Sequence, residues 1–123
     1  MENINKENKL KLISNLAKEK KAMDLINLDV REVNDLTDIL IICSAEGDIH
    51  TRTIGKYIIE QTKKLGITLH HKEGLENGKW VLLDFSDIVI HIFDKKTREY
   101  YKLEKLWKDL INRDQKTSEE VKK

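Results

Sequence analysis

The chain has 123 residues, 37% of them charged, with 23 Lys and Arg against 22 Asp and Glu. That length supports one domain with a modest core, and the balance of charge argues against a protein that grips nucleic acid mainly through phosphates. The single cysteine, Cys43, excludes an intramolecular disulfide, and no apolar run approaches the roughly 20 residues of a membrane span.

The first eleven residues alternate Lys, Glu and Asn without the apolar core of a secretion signal, so a cytoplasmic location and no membrane partner are expected. Leu10, Ile13, Leu16 and Ala17 recur at helical spacing and predict an amphipathic helix over Glu7 to Ala22. Leu25 to Val30 alternates as a strand, and Arg31 to Thr37 is a polar connection. Ile39 to Cys43 is a short, β-branched apolar run, the pattern of a central strand buried on both faces. Asp48 is a good N-cap for a helix lined by Ile49, Thr53, Ile54, Tyr57, Ile58, Thr62 and Leu65 and ended by Gly66. Thr68 to Lys72 reads as a third strand, and Asn77-Gly78 as a tight turn. Trp80 to Phe85 and Ile88 to Phe93 are two further strands. A last helix is expected over Thr97 to Ile111, with Tyr100, Leu103, Leu106, Trp107 and Leu110 on one stripe. Residues 1–112 form the expected domain, and residues 113–123 a polar tail expected to fray. The fold class is α/β (α+β), a mixed five-stranded sheet with helices packed on it. The crossover from the Ile39 strand to the Thr68 strand is long enough for the two to pair in parallel.

The last two strands carry the most information. A two-residue turn at Ser86 and Asp87 sets Asp84 across from Val89, Leu82 across from His91, and Trp80 across from Phe93. Alternate side chains share a face, so Val81, Leu83, Phe85, Ile88, Ile90 and Ile92 make one purely apolar face, the core. The other face carries Trp80, Leu82, Asp84, Val89, His91 and Phe93, apolar with polar groups set into it. Two arrangements fit it: a second core under the last helix, or an open docking patch anchored by Trp80 and Phe93.

Catalytic chemistry finds little support. Nucleotidyl transfer needs a phosphate loop and paired carboxylates for metal ions; Ser44-Ala45-Glu46-Gly47 only faintly resembles such a loop, and Asp84, Asp87 and Asp94 are scattered around the hairpin. His70 and His71 are adjacent on a strand and point to opposite sides, so they do not share an ion, and no His-x-x-x-His or Cys-x-x-Cys spacing exists. Cys43, inside an apolar strand, reads as a core residue. No enzyme activity, metal or cofactor is expected.

Read together, these segments carry Lys21-Ala22-x-Asp24, Leu28-Asp29-Val30, Thr37-Asp38, Glu73-Gly74, Trp80-Val81-Leu82-Leu83-Asp84, Val89-x-His91-x-Phe93, Arg98-Glu99-x-Tyr101 and Leu103-Glu104-x-Leu106-Trp107. In this pattern the chain resembles the ribosomal silencing factor family, also called Iojap, from about Lys20 to Leu110. It departs from the family at the start of the second helix. There Ala45-Glu46-Gly47-Asp48-Ile49-His50 stands where members usually carry Gly-x-Ser-x-Arg-Gln, and Ser86 occupies a hairpin position where members often have Gly.

The resemblance implies a fold similar to nucleotidyltransferases without their active site. It also implies binding to the large ribosomal subunit through ribosomal protein fourteen, blocking the small subunit from joining and repressing translation. The contact residues expected on that basis are Trp80, Leu82, Asp84, His91, Phe93, Arg98, Tyr100 and Tyr101, with Arg98 pairing on the surface with Glu73 or Asp94. Little direct binding of nucleic acid is expected. The alternative of a different class is a self-associating module, a homodimer formed through the Trp80 face or a sheet edge.

Overall fold

A computed structural model describes the backbone of residues 5–122 and the side chains of residues 5–113. The elements run α1 (Lys6–Glu19), β1 (Met23–Asp29), β2 (Ile39–Ala45), α2 (Asp48–Lys64), β3 (His71–Glu73), β4 (Trp80–Asp84), β5 (Ile88–Asp94), α3 (Lys95–Tyr101) and α4 (Leu103–Lys122). The five strands form one mixed sheet in the order β1-β2-β5-β4-β3.

The sheet is built outward from its two most apolar strands. β2 and β5 pair in parallel at the centre, Ile41 beside Ile90 and Cys43 beside Ile92. The expected pairing of β2 with the strand after α2 is therefore corrected. β3 lies instead at the far edge, antiparallel to β4. Its three residues, His71, Lys72 and Glu73, are all exposed, whereas β5 is apolar enough to fill a site buried on both sides, so β5 takes the central place. The β4–β5 register is the one expected, with Trp80 opposite Phe93, Leu82 opposite His91 and Asp84 opposite Val89. Ser86 turns the chain with a φ of +80°, and the Phe85 N–H donates to the Ile88 carbonyl at 2.8 Å.

The apolar face of the hairpin is core as expected: Val81, Leu83, Phe85, Ile88, Ile90 and Ile92 are buried with Ile13, Leu16 and Ala17 of α1 and Ile54 and Ile58 of α2. α1 starts at an Asn5 cap that accepts the Asn8 N–H, and it ends at Glu19 rather than Ala22, because Lys21 takes a φ of +66° to turn into β1. α2 is capped by Gly47 without a side-chain bond, and Asp48 lies in its first turn instead of capping it. Its buried stripe is Thr51, Ile54, Gly55, Ile58 and Thr62, so Ile49 and Leu65 of the expected stripe are exposed. Tyr57 packs at the margin of the core, its hydroxyl donating to Glu19. Gly66, at a φ of +77°, ends the helix: its N–H donates to the Lys63 carbonyl and the Ile67 N–H to the Thr62 carbonyl at 2.9 Å, the Schellman arrangement.

The sheet's other face forms a second core. Leu28, Val30, Leu40, Ile42 and Phe93 are buried there under Leu103, Trp107 and Ile111 of α4. The single C-terminal helix of the sequence reading is corrected to two, broken at Lys102 in the left-handed region, φ 49° and ψ 46°. Residues 101 and 103 lie on opposite sides of a continuous helix; the break lets Tyr101 and Leu103 both face the sheet. Tyr100 and Leu106 of the expected stripe are exposed. α4 also runs past the boundary drawn at Ile111 to Lys122, since no Gly or Pro interrupts residues 113–122.

Candidate functional site

Alternation along β4 puts Trp80 on the second face, directly across from Phe93. The two ring centroids are 4.8 Å apart. His91 lies two residues before Phe93 on β5, opposite Leu82, and the Trp80 Nε1–H donates to its Nδ1 at 2.9 Å. That bond fixes the tautomer: Nδ1 accepts, so the neutral ring carries its proton on Nε2. His91 is only 8% exposed, and burial pushes its imidazole down to about 4 from the ordinary 6.5. It is a neutral acceptor that holds the indole in place.

α3 extends this aromatic row. Asp94 at the end of β5 accepts the Thr97 N–H at 2.8 Å and starts the helix. Seven residues later Tyr101 stands 4.9 Å from Trp80, centroid to centroid. Tyr100 meets Tyr101 edge to face at 5.0 Å and is 80% exposed. Between the hairpin and α3 lies an open groove of about 630 Å³, walled by Trp80, Tyr100 and Tyr101 and rimmed by Asn77, Lys79, Asp94, Lys96 and Thr97. Both lysines are exposed, and none of the ion pairs among the described residues includes either one. Such a groove offers flat aromatic area beside a polar rim of two lysines and one aspartate.

The expected contact residues therefore separate. Trp80, His91, Phe93, Tyr100 and Tyr101 come together, with Phe93 fully buried beneath the others. The second core under the last helix is present. Phe93, 0% exposed beneath α4, is corrected from docking anchor to core residue, because its ring is sealed by Leu103, Trp107 and Ile111. Trp80 is half-exposed at the groove. Leu82 and Asp84 are half-buried toward the hairpin turn, where Asp84 Oδ1 accepts the Ser86 N–H. Four residues of strand put Asp84 about 13 Å from Trp80, away from the groove. Arg98 does not pair with Glu73 or Asp94 on the surface. Its guanidinium turns inward to the Asp24 carbonyl, the Ser44 hydroxyl and Glu104.

Lys79, Lys96 and Thr97 were not legible as site residues, because their membership depends on how α3 sits against β4. At the divergent start of α2, His50 ties the helix's first turn to the chain before it and to the end of α1. Its Nδ1 accepts the Glu46 N–H at 2.9 Å, and its Nε2 lies 2.7 Å from the Lys20 carbonyl. Among the described residues no three His, Cys, Asp or Glu side chains stand close enough to hold a metal ion. Cys43 is fully buried, which pushes its thiol up to about 12 and removes it as a nucleophile. Among the described residues no helix is long and apolar enough to cross a membrane.

Comparison with known proteins adds to this geometry. Residues 3–123 match the family described as "Ribosomal silencing factor during starvation", RsfS. The chain is 35% identical over 106 residues to the ribosomal silencing factor RsfS of Bacillus subtilis (strain 168), spanning 86% of this chain and 90% of that one. It is 29% identical over 99 residues to the mouse "Mitochondrial assembly of ribosomal large subunit protein 1", spanning 78% of this chain and 43% of that longer protein. Its fold is similar to a crystal structure of a Chromobacterium violaceum protein, with a TM-score of 0.82 and 27% identity over 85% of this chain and 87% of the other.

Proposed function

Since this chain belongs to the ribosomal silencing factor family, as its motifs implied, we propose that it represses translation by binding the large ribosomal subunit through ribosomal protein fourteen. Bound there, it obstructs the small subunit by its bulk; it works by docking and catalyses nothing. The observation that carries this reading is the open aromatic groove of Trp80, Tyr100 and Tyr101, held rigid by the Trp80–His91 hydrogen bond. A preorganised aromatic surface binds at low entropic cost. The mouse relative's name, which ties it to assembly of a ribosomal large subunit, supports the choice of partner. The site of action is the cytoplasm, where the ribosomes to be silenced are.

Co-sedimentation with purified large subunits tests this. The wild-type chain pellets with the subunit, and Trp80→Ala weakens association by roughly 2–4 kcal/mol, the range of an aromatic hot spot. Absence of any association by the wild-type chain refutes the reading.

The second reading is a homodimer through the same groove, favoured by the 80% exposure of Tyr100. The sheet edges serve it poorly: β3 is three exposed residues long, and β1 carries a register shift between Met23 and Ile26. Mass in solution, measured with and without large subunits, discriminates; a dimer that subunits fail to dissociate favours this second reading.

A further inference from the structure

α3 carries two of the three groove rings, yet none of its seven residues is buried. A helix that short has no stability of its own. Something must hold it against the sheet, and the described contacts single out Arg98. Its Nη1–H donates to the Asp24 carbonyl at 2.7 Å and to Ser44 Oγ at 2.9 Å, and its Nε–H to Glu104 Oε2 at 3.1 Å. Its side chain is only 12% exposed. One guanidinium thus ties α3 to β1, β2 and the first turn of α4.

The socket is made for it. β1 pairs with β2 at Met23 and again at Ile26, but not between. Asp24, in that gap, takes a φ of +50°. The bulge frees the Asp24 carbonyl from the ladder, and Arg98 takes it as an acceptor. Of the two Glu104 carboxylate oxygens, Oε2 accepts from Arg98 and Oε1 is buried without a partner. Removing Arg98 takes away the described ion-pair partner of that carboxylate, whose side chain is 26% exposed, and with it the link from α3 to α4's first turn.

We propose that Arg98 is a positioning residue of the docking surface: it fixes α3 so that Tyr101 lies on Trp80, and it acts on the partner only through that ring. The inference rests on the docking reading for its effect on affinity, but not for its effect on geometry. Arg98 and Tyr101 are three residues apart on one helix, so they share the side that faces the sheet. A lysine has the charge but not the planar fork that meets three acceptors at once.

The test combines a structural readout with a binding cycle. In the wild-type chain, nuclear Overhauser contacts connect the Trp80 indole to the Tyr101 ring; in Arg98→Ala and Arg98→Lys they are lost. Affinity for large subunits falls by at least about tenfold in Arg98→Ala and in Tyr101→Ala. The double variant is no weaker than Tyr101→Ala alone. Persistence of the Trp80–Tyr101 contacts in Arg98→Ala overturns the proposal, and so does a multiplicative loss in the double variant, which marks a direct contact with the partner. Should Arg98→Ala not fold, Ser44→Ala and Glu104→Ala each remove one acceptor. Weakened ring contacts in either support the proposal; unchanged contacts in both overturn it. If the wild-type chain binds no subunit, the docking reading fails, and the ring contacts alone decide the role of Arg98.

Discussion

His91 makes stability depend on pH between about 4 and 6.5. It lies on β5 between Ile42 of β2 and Leu82 of β4, with the Trp80 indole bonded to its Nδ1. Burial holds its folded value at about 4, below the ordinary 6.5. As pH falls through 6.5 the unfolded chain takes up a proton that the folded chain refuses. Stability is therefore present above 6.5 and is lost as pH falls toward 4, below which this residue adds no further loss. That span, at about 1.4 kcal/mol per pH unit, amounts to about 3 kcal/mol. The protonated ring also loses its only acceptor, so the indole N–H then faces another donor. The perturbation is His91→Asn, which keeps an acceptor near the position of Nδ1 and does not titrate. Urea unfolding followed by circular dichroism, repeated from neutral pH down to 4, gives both stability profiles. Contributions common to the two chains cancel in the difference. Wild-type stability is expected to fall by about 3 kcal/mol more than that of the variant. A difference that stays flat within about 0.5 kcal/mol, the ordinary scatter of such comparisons, refutes the claim that His91 is buried neutral.

Two further perturbations test the backbone that presents the groove. Gly74 has a φ of +87°, and a Cβ there would stand 1.9 Å from the Trp80 carbonyl oxygen; Gly74→Ala should cost at least about 2 kcal/mol, read as a lowered thermal midpoint, and should displace the Trp80 end of β4. Ser86 holds a φ of +80° in the hairpin turn, a strain Gly does not bear, so Ser86→Gly should raise stability by up to about 1 kcal/mol without moving the register.

The hairpin was legible from residue order because its determinants are local. A two-residue turn and strict alternation assign every side chain from Val81 to Phe93 to a face, with no knowledge of the rest of the chain. The same holds for the Gly66 stop and for the family motifs. Strand order was not legible. β2 meets β5 across more than forty residues of intervening chain, and which strand wins the central place depends on a competition in burial that periodicity does not reveal. Nor was Arg98's inward turn: it requires a bulge on β1, a hydroxyl on β2 and a carboxylate on α4, separated by up to 80 positions. The break at Lys102 belongs to the same class, since it answers the demands of two different neighbours at once. Local steric and turn chemistry thus determined which side chains are available, while long-range packing decided which of them remain open to a partner and which are spent holding the others in place.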